Sequence, residues 1–186
     1  MKYLLIVLMF SFCGPLSVAQ KETWPEMSIY NLTGPWKNHE GKVVNLKDFS
    51  GKVVVAAMVY TSCQHTCPMI TQKVVDIRKA LPKKLREKVV YALISFDPEG
   101  DTPKVLAAYK KKSSLDKHWV LLTSDAGTVR KLAGVIGFNY KKTPDGGFAH
   151  SNMVNLVDPQ GVVTYQIDGL NKANDEMVKK IVTLLK

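Results

Sequence analysis

Cysteine is scarce in this chain. It has three in 186 residues, Cys13, Cys63 and Cys67, and so few rule out a small secreted scaffold held by several bridges. Acidic residues are also short, 16 against 26 Lys and Arg, for a net charge of +10. Despite that charge there is no basic motif interleaved with aromatics, so nucleic-acid binding is not expected. No internal repeat, low-complexity tract or linker breaks the chain. The apolar run Tyr3–Phe12 falls short of the roughly 20 residues that a membrane-spanning helix needs.

What the N-terminus does have is the order of a secretory signal. Lys2 precedes the apolar run, and Ser17, Val18 and Ala19 form a small-residue cleavage site before Gln20. Residues 1–19 are therefore expected to be a signal peptide and 20–186 one exported, periplasmic domain. An uncleaved anchor is the alternative; bulky Phe12 argues against a lipid-modified Cys13. Loss of the leader keeps Cys63 and Cys67 in an oxidising compartment, where thiols of use must do chemistry. The excess of lysine reads as a solvated surface, or as attraction toward an acidic protein or an anionic membrane face.

"GKVVVAAMVY" is a continuous apolar run, the mark of a strand covered on both faces, and it ends at "TSCQHTCPM". "PMITQKVVDIRKAL" has helical spacing and stops at Pro82. "VVYALISF" and "WVLLT" read as further strands. "TPKVLAAYKKK" is a helix capped by Thr102, and "DAGTVRKLAGVIG" another that closes on Gly137. The polar stretch "FNYKKTPDGGFAH" reads as a loop, followed by two strands around "PQG" and a last helix. Near the start, "SIYNLT" reads as an irregular strand, with a short one over Lys42–Leu46. The fold class is α/β, a mixed central sheet flanked by helices, with ligand sites at the carboxyl ends of its parallel strands. The order resembles the thioredoxin-like fold with an added N-terminal β-hairpin.

Pro68 fits best at the first position of its helix, with Cys67 as the cap and Cys63 in the loop before it. Both thiols then face the positive end of the helix dipole, and both are expected to be acidic and partly exposed. A structural disulfide over so short a loop would add little. Redox exchange and metal binding remain, and the three-residue gap suits two sulfurs on one ion. A third donor must come from His39, His65, His118 or His150. His150 lies where thioredoxin-like enzymes carry a cis-proline beside the cysteine turn, and is the one chosen; His65 lies between the sulfurs but can point away from them. Two thiolates and one imidazole suit Cu(I), and Cu(II) with one more ligand. Structural zinc would want a fourth donor.

"YTSCQHTCP", "SFDPEGDTP" and "HSNMVNLVDPQG", in this order, resemble the Sco/SenC family of copper chaperones, over nearly the whole exported chain. The resemblance implies copper ligands Cys63, Cys67 and His150, with Asp97 supporting the site. It implies delivery of copper to the copper-A subunit of cytochrome c oxidase, or reduction of that site's cysteines, with a copper donor chaperone upstream. Many members carry an aspartate where this chain has Ala149. If that carboxylate orients the imidazole, the site here is looser, which would favour the redox role or another copper client. The other readings are a thiol-disulfide oxidoreductase, in which Cys63 and Cys67 are the redox pair, and a thiol peroxidase, for which further motifs are missing.

Overall fold

The computed structural model describes residues 23–186; the expected leader, with Cys13, lies outside them. Seven strands form one sheet in the order β2-β1-β5-β4-β3-β8-β9. The centre is β3 (Val53–Val59), parallel to β4 (Val89–Ser95), which is parallel to β5 (Trp119–Thr123). All seven residues of β3 are buried, as its unbroken apolar run requires. Antiparallel strands flank this core: β8 (Met153–Val157) and β9 (Val163–Asp168) on one side, β1 (Trp36–Asn38) and β2 (Val43–Val44) on the other. β1 and β2 are the expected N-terminal hairpin.

Side chains along β3 alternate between two cores. Val53, Val55, Ala57 and Val59 face Ile70, Val74 and Ile77 of α1 (Thr66–Ala80). Leu106 of α3 (Pro103–Lys112) and Met177 and Ile181 of α5 (Asp175–Leu184) share that core. Val54, Ala56 and Met58 face Val129, Leu132 and Ala133 of α4 (Ala126–Val135), with Trp36. A short helix α2 (Lys83–Arg86) leads into β4. Each fully buried aliphatic side chain contributes about 1.5–3 kcal/mol. The ion pairs among the described residues are solvent-accessible and contribute about 0–1 kcal/mol each. The two apolar layers therefore hold the sheet.

Two local expectations give way. "SIYNLT" is a single 3-10 turn over Ile29–Asn31, because the Ser28 hydroxyl accepts from the Tyr30 N–H and curls the chain. The stretch read as a loop holds a separate hairpin, β6 (Tyr140–Lys142) and β7 (Phe148–His150), with Tyr140 opposite His150. The turn between them uses Gly146 at φ 84°, a left-handed conformation suited to glycine.

Candidate metal centre

The topology brings the site together at one end of the sheet. β3 and β8 are antiparallel neighbours with Ala57 opposite Val154. The segment leaving β3 and the segment entering β8 therefore emerge side by side. The first carries both cysteines, the second His150.

α1 begins at Thr66, with His65 before it. Cys67 is thus inside the first turn and not the expected cap, and Pro68 follows it there. A first-turn proline is tolerated because the N–H it lacks has no partner within the helix. The shift drives Cys67 inward: it is 0% exposed, packed with Val59 and Ile70, and only Cys63 is half-exposed. The expectation of two acidic, accessible thiols therefore holds for one of them. Burial pushes Cys63 up, but the Thr66 hydroxyl and the Cys67 and His65 amides outweigh it and bring the thiol down to about 6. Burial pushes Cys67 up to about 12 against the Tyr60 N–H, and the neighbouring Cys63 and Asp101 charges add to the rise. The pair favours one thiolate and one thiol.

The two sulfurs and a ring nitrogen of His150 all lie within 4.8 Å of one another. Cys67 Sγ is 4.0 Å from His150 Nε2. His150 Nδ1 lies 2.9 Å from the Ser151 carbonyl oxygen, which can only accept, so that contact places the ring proton on Nδ1. The Nε2 lone pair is left facing the sulfurs, as a ligand must. Thr66 Oγ1 bridges the two halves, 3.4 Å from Cys63 Sγ and 3.2 Å from His150 Nε2. Phe96, Phe138 and Tyr60 wall the imidazole at 5.2, 6.2 and 6.0 Å between ring centres. From the other side, a groove of about 720 Å³ lined by Thr61, Gln64, Tyr109 and Lys112 reaches Cys63.

Asp97 lies outside this cluster: one of its carboxylate oxygens accepts from the Gly100 N–H. The buried carboxylate behind the cysteine turn belongs to Asp101, four residues on and 0% exposed. It accepts from the Thr61 N–H at 3.1 Å, from the Thr61 hydroxyl and from Ser95 Oγ at 2.6 Å. Burial raises its pKa while these donors oppose the rise. Nothing in the sequence singles out Asp101, the third carboxylate of "DPEGD". His65 is exposed at the helix start and is not part of the triad. His39 accepts from the Leu121 N–H, and His118 lies just before β5 at the opposite end of the sheet. Ala149 is exposed, and alternation along β7 turns it away from His150. The Ser151 carbonyl orients the ring, so the imidazole is held without an aspartate at 149.

Two sulfurs and one imidazole form a soft, three-donor set. Among the described residues no fourth His, Cys, Asp or Glu joins it, which disfavours structural zinc. The SCO1/SenC family model matches residues 27–186. The SCO1 protein homolog of Bacillus subtilis (strain 168) is 29% identical over 153 residues, 78% of each chain. A SCO1/SenC family lipoprotein from Bacillus anthracis superposes with TM-score 0.74 at 28% identity, covering 81% of this chain and 92% of that one. Bradyrhizobium japonicum ScoI, solved with copper bound, gives TM-score 0.70 at 27% identity, covering 82% and 97%. The fold, the cysteine turn with its distant histidine and the match across the described chain lead to one conclusion: the protein belongs to the SCO1/SenC family.

Proposed function

We propose that this protein is a copper metallochaperone that carries copper on Cys63, Cys67 and His150. The observation that carries the reading is the convergence of two sulfurs and an Nε2 lone pair within 4.8 Å. Thiolates grip Cu(I), and the imidazole completes a site that also accepts Cu(II). Asp101 supports the turn that presents the sulfurs, and Asp97 the loop beside it. The client is the copper-A subunit of cytochrome c oxidase, with copper supplied by a donor chaperone. The leader over residues 1–19 takes the protein to the periplasm, where Cys63 and Cys67 pair as a disulfide when oxidised. The solved relative with copper bound supports this assignment.

The test is anaerobic titration of the reduced protein with Cu(I) against a chromophoric chelator. One copper per chain is expected, with Cys63→Ser and Cys67→Ser each weakening affinity by more than about a hundredfold as one soft ligand is lost. Reduced protein that takes up no copper would refute the reading. A second role, reduction of a client disulfide, is favoured by the unequal thiols: an accessible Cys63 held low and a buried Cys67 behind it. In that role a client disulfide becomes two thiols as Cys63 and Cys67 become a disulfide. Exchange that persists in His150→Ala while Cu(II) binding falls would separate the two roles.

A further inference from the structure

The two ends of the sheet differ in charge. β3, β4 and β5 run parallel, and Lys52, Lys88 and Lys117 come just before them at one edge, where Val53 lies opposite Val89 and Tyr91 opposite Trp119. These lysines rim a cavity of about 460 Å³ walled by Phe49, Val90 and Val120. Lys79, at the end of α1, and Lys83 and Lys84 of α2 continue the band. All six lysines are exposed, and none has a carboxylate partner within 4.0 Å among the described residues.

The acids near this end do little to neutralise it. Glu87 lines the cavity. Asp116 is paired with Arg78 at 2.6 Å. Asp48 and Asp158 accept from backbone amides, of Asn45 in one case and of Gln160 and Val162 in the other. Glu26 lies on the entering segment.

The chain also enters at this end. Ile29 donates its N–H to the Gly161 carbonyl and Gly51 to that of Pro159, so the first described segment, the β8–β9 turn and the approach to β3 sit together. Cys63, Cys67 and His150 lie at the opposite end, a strand length of about 20 Å away.

We propose that this basic end is a docking face for an anionic phospholipid bilayer, which presents the thiol-imidazole end away from the lipid. Exposed lysines are drawn to an anionic surface additively, and the attraction fades beyond a Debye length of about 10 Å at 0.1 M salt. A client protein is the poorer occupant, because it has to reach Cys63 at the far end. The proposal stands on charge and topology and is independent of what the cluster binds.

The test is co-sedimentation of the protein, as recovered from an exporting host, with vesicles of mixed phosphatidylglycerol and phosphatidylcholine. Binding is expected, and it should fall steeply as salt rises. Vesicles of phosphatidylcholine alone should retain little. The combined variant Lys52→Glu, Lys88→Glu, Lys117→Glu should lower partition on the order of a hundredfold or more. A control triple, Lys104→Glu, Lys141→Glu, Lys172→Glu, makes the same change in net charge toward the other end and should bind nearly as wild type. Copper uptake by both triples, measured in parallel, reports folding without bearing on the lipid question. Equal losses in the two triples would overturn the proposal, as would no preference for the anionic vesicles. Undiminished vesicle binding by the first triple, with loss of binding to polyglutamate, would assign the face to an acidic protein and also overturn it.

Discussion

The two regions that meet at the site are built differently. The cysteine turn leaves a strand whose seven residues are all buried, and Asp101 ties it to Ser95 at the end of β4. The hairpin carrying His150 pairs only with itself, in a two-stranded sheet apart from the main one. Its attachment is the packing of Tyr140, Phe148 and His150 on Tyr60, Phe96 and Phe138, with an exposed Lys142–Glu99 pair and the Thr66–His150 contact. Isolated two-stranded hairpins are marginally stable in water. Under the proposed function the difference assigns roles: a fixed sulfur pair to hold copper through transfer, and an imidazole on a weaker support to join or leave it.

The largest expected effect tests that division. His150→Ala removes the ligand from the weaker support and leaves the sulfurs in place. Cu(II) affinity should fall by more than the roughly 10–100-fold typical of losing an outer partner. Cu(I) affinity should fall much less, because two thiolates suffice for a soft ion. Competition titrations with Cu(I) and Cu(II) chelators give both numbers. Equal losses for the two oxidation states would mean that the imidazole is as integral as the sulfurs.

The two regions also differ in how much of them the sequence discloses. Strand β3 and the cysteines after it are legible because a long apolar run and a Cys-x-x-x-Cys spacing are local signals. That the sheet is mixed and flanked by helices follows from the alternation of such runs with helical stretches; the order of its seven strands does not. β6 and β7 have three residues each, too few for alternation to register, so they read as loop. The burial of Cys67 is hidden for another reason: it depends on where α1 begins, and Pro68 is allowed at several first-turn positions. Asp97 and Asp101 are equal in the sequence, and only packing decides that Asp101 goes inside.

An intermediate effect is expected on the fixed side. Asp101 receives three donors, so Asp101→Asn places an amide N–H₂ or a poorer acceptor against the Thr61 N–H, which can only donate, and against two hydroxyls that donate to the carboxylate in wild type. The cost should be about 1–3 kcal/mol of stability, read from denaturant midpoints. Losing that negative charge should also lower the Cys67 pKa, because Asp101 is one of the causes that raise it. Thiol titration of the reduced variant measures this. If stability falls while Cys67 titrates as in wild type, Asp101 is a buttress with no electrical hold on the site.

The smallest effect concerns the hydroxyl that bridges the two regions. Thr66 Oγ1 lies between Cys63 Sγ and His150 Nε2 and has a single proton for two acceptors. Thr66→Val keeps the shape and removes that proton. Cys63 sits at about 6, below its ordinary value, so its contribution to the stability of the reduced protein is complete above the unfolded value near 9 and is lost as pH falls through about 6. Cys67, raised to about 12, works the other way and acts only as pH climbs above 9. Of the two thiols, Cys63 therefore sets the slope between about 6 and 9, with His39, lowered by burial, adding to it only near the lower end, and reduced wild type should gain stability as pH rises there. Thr66→Val should move the Cys63 midpoint upward, flatten that slope, and cost about 0.5–1.5 kcal/mol, toward the lower figure because the sulfur is half-exposed. Mass-spectrometric alkylation of Cys63 across pH reads the midpoint directly. An unchanged profile would mean that the backbone amides of His65 and Cys67 alone hold the thiolate, and that the fixed turn sets its chemistry without help from the bridge to the hairpin.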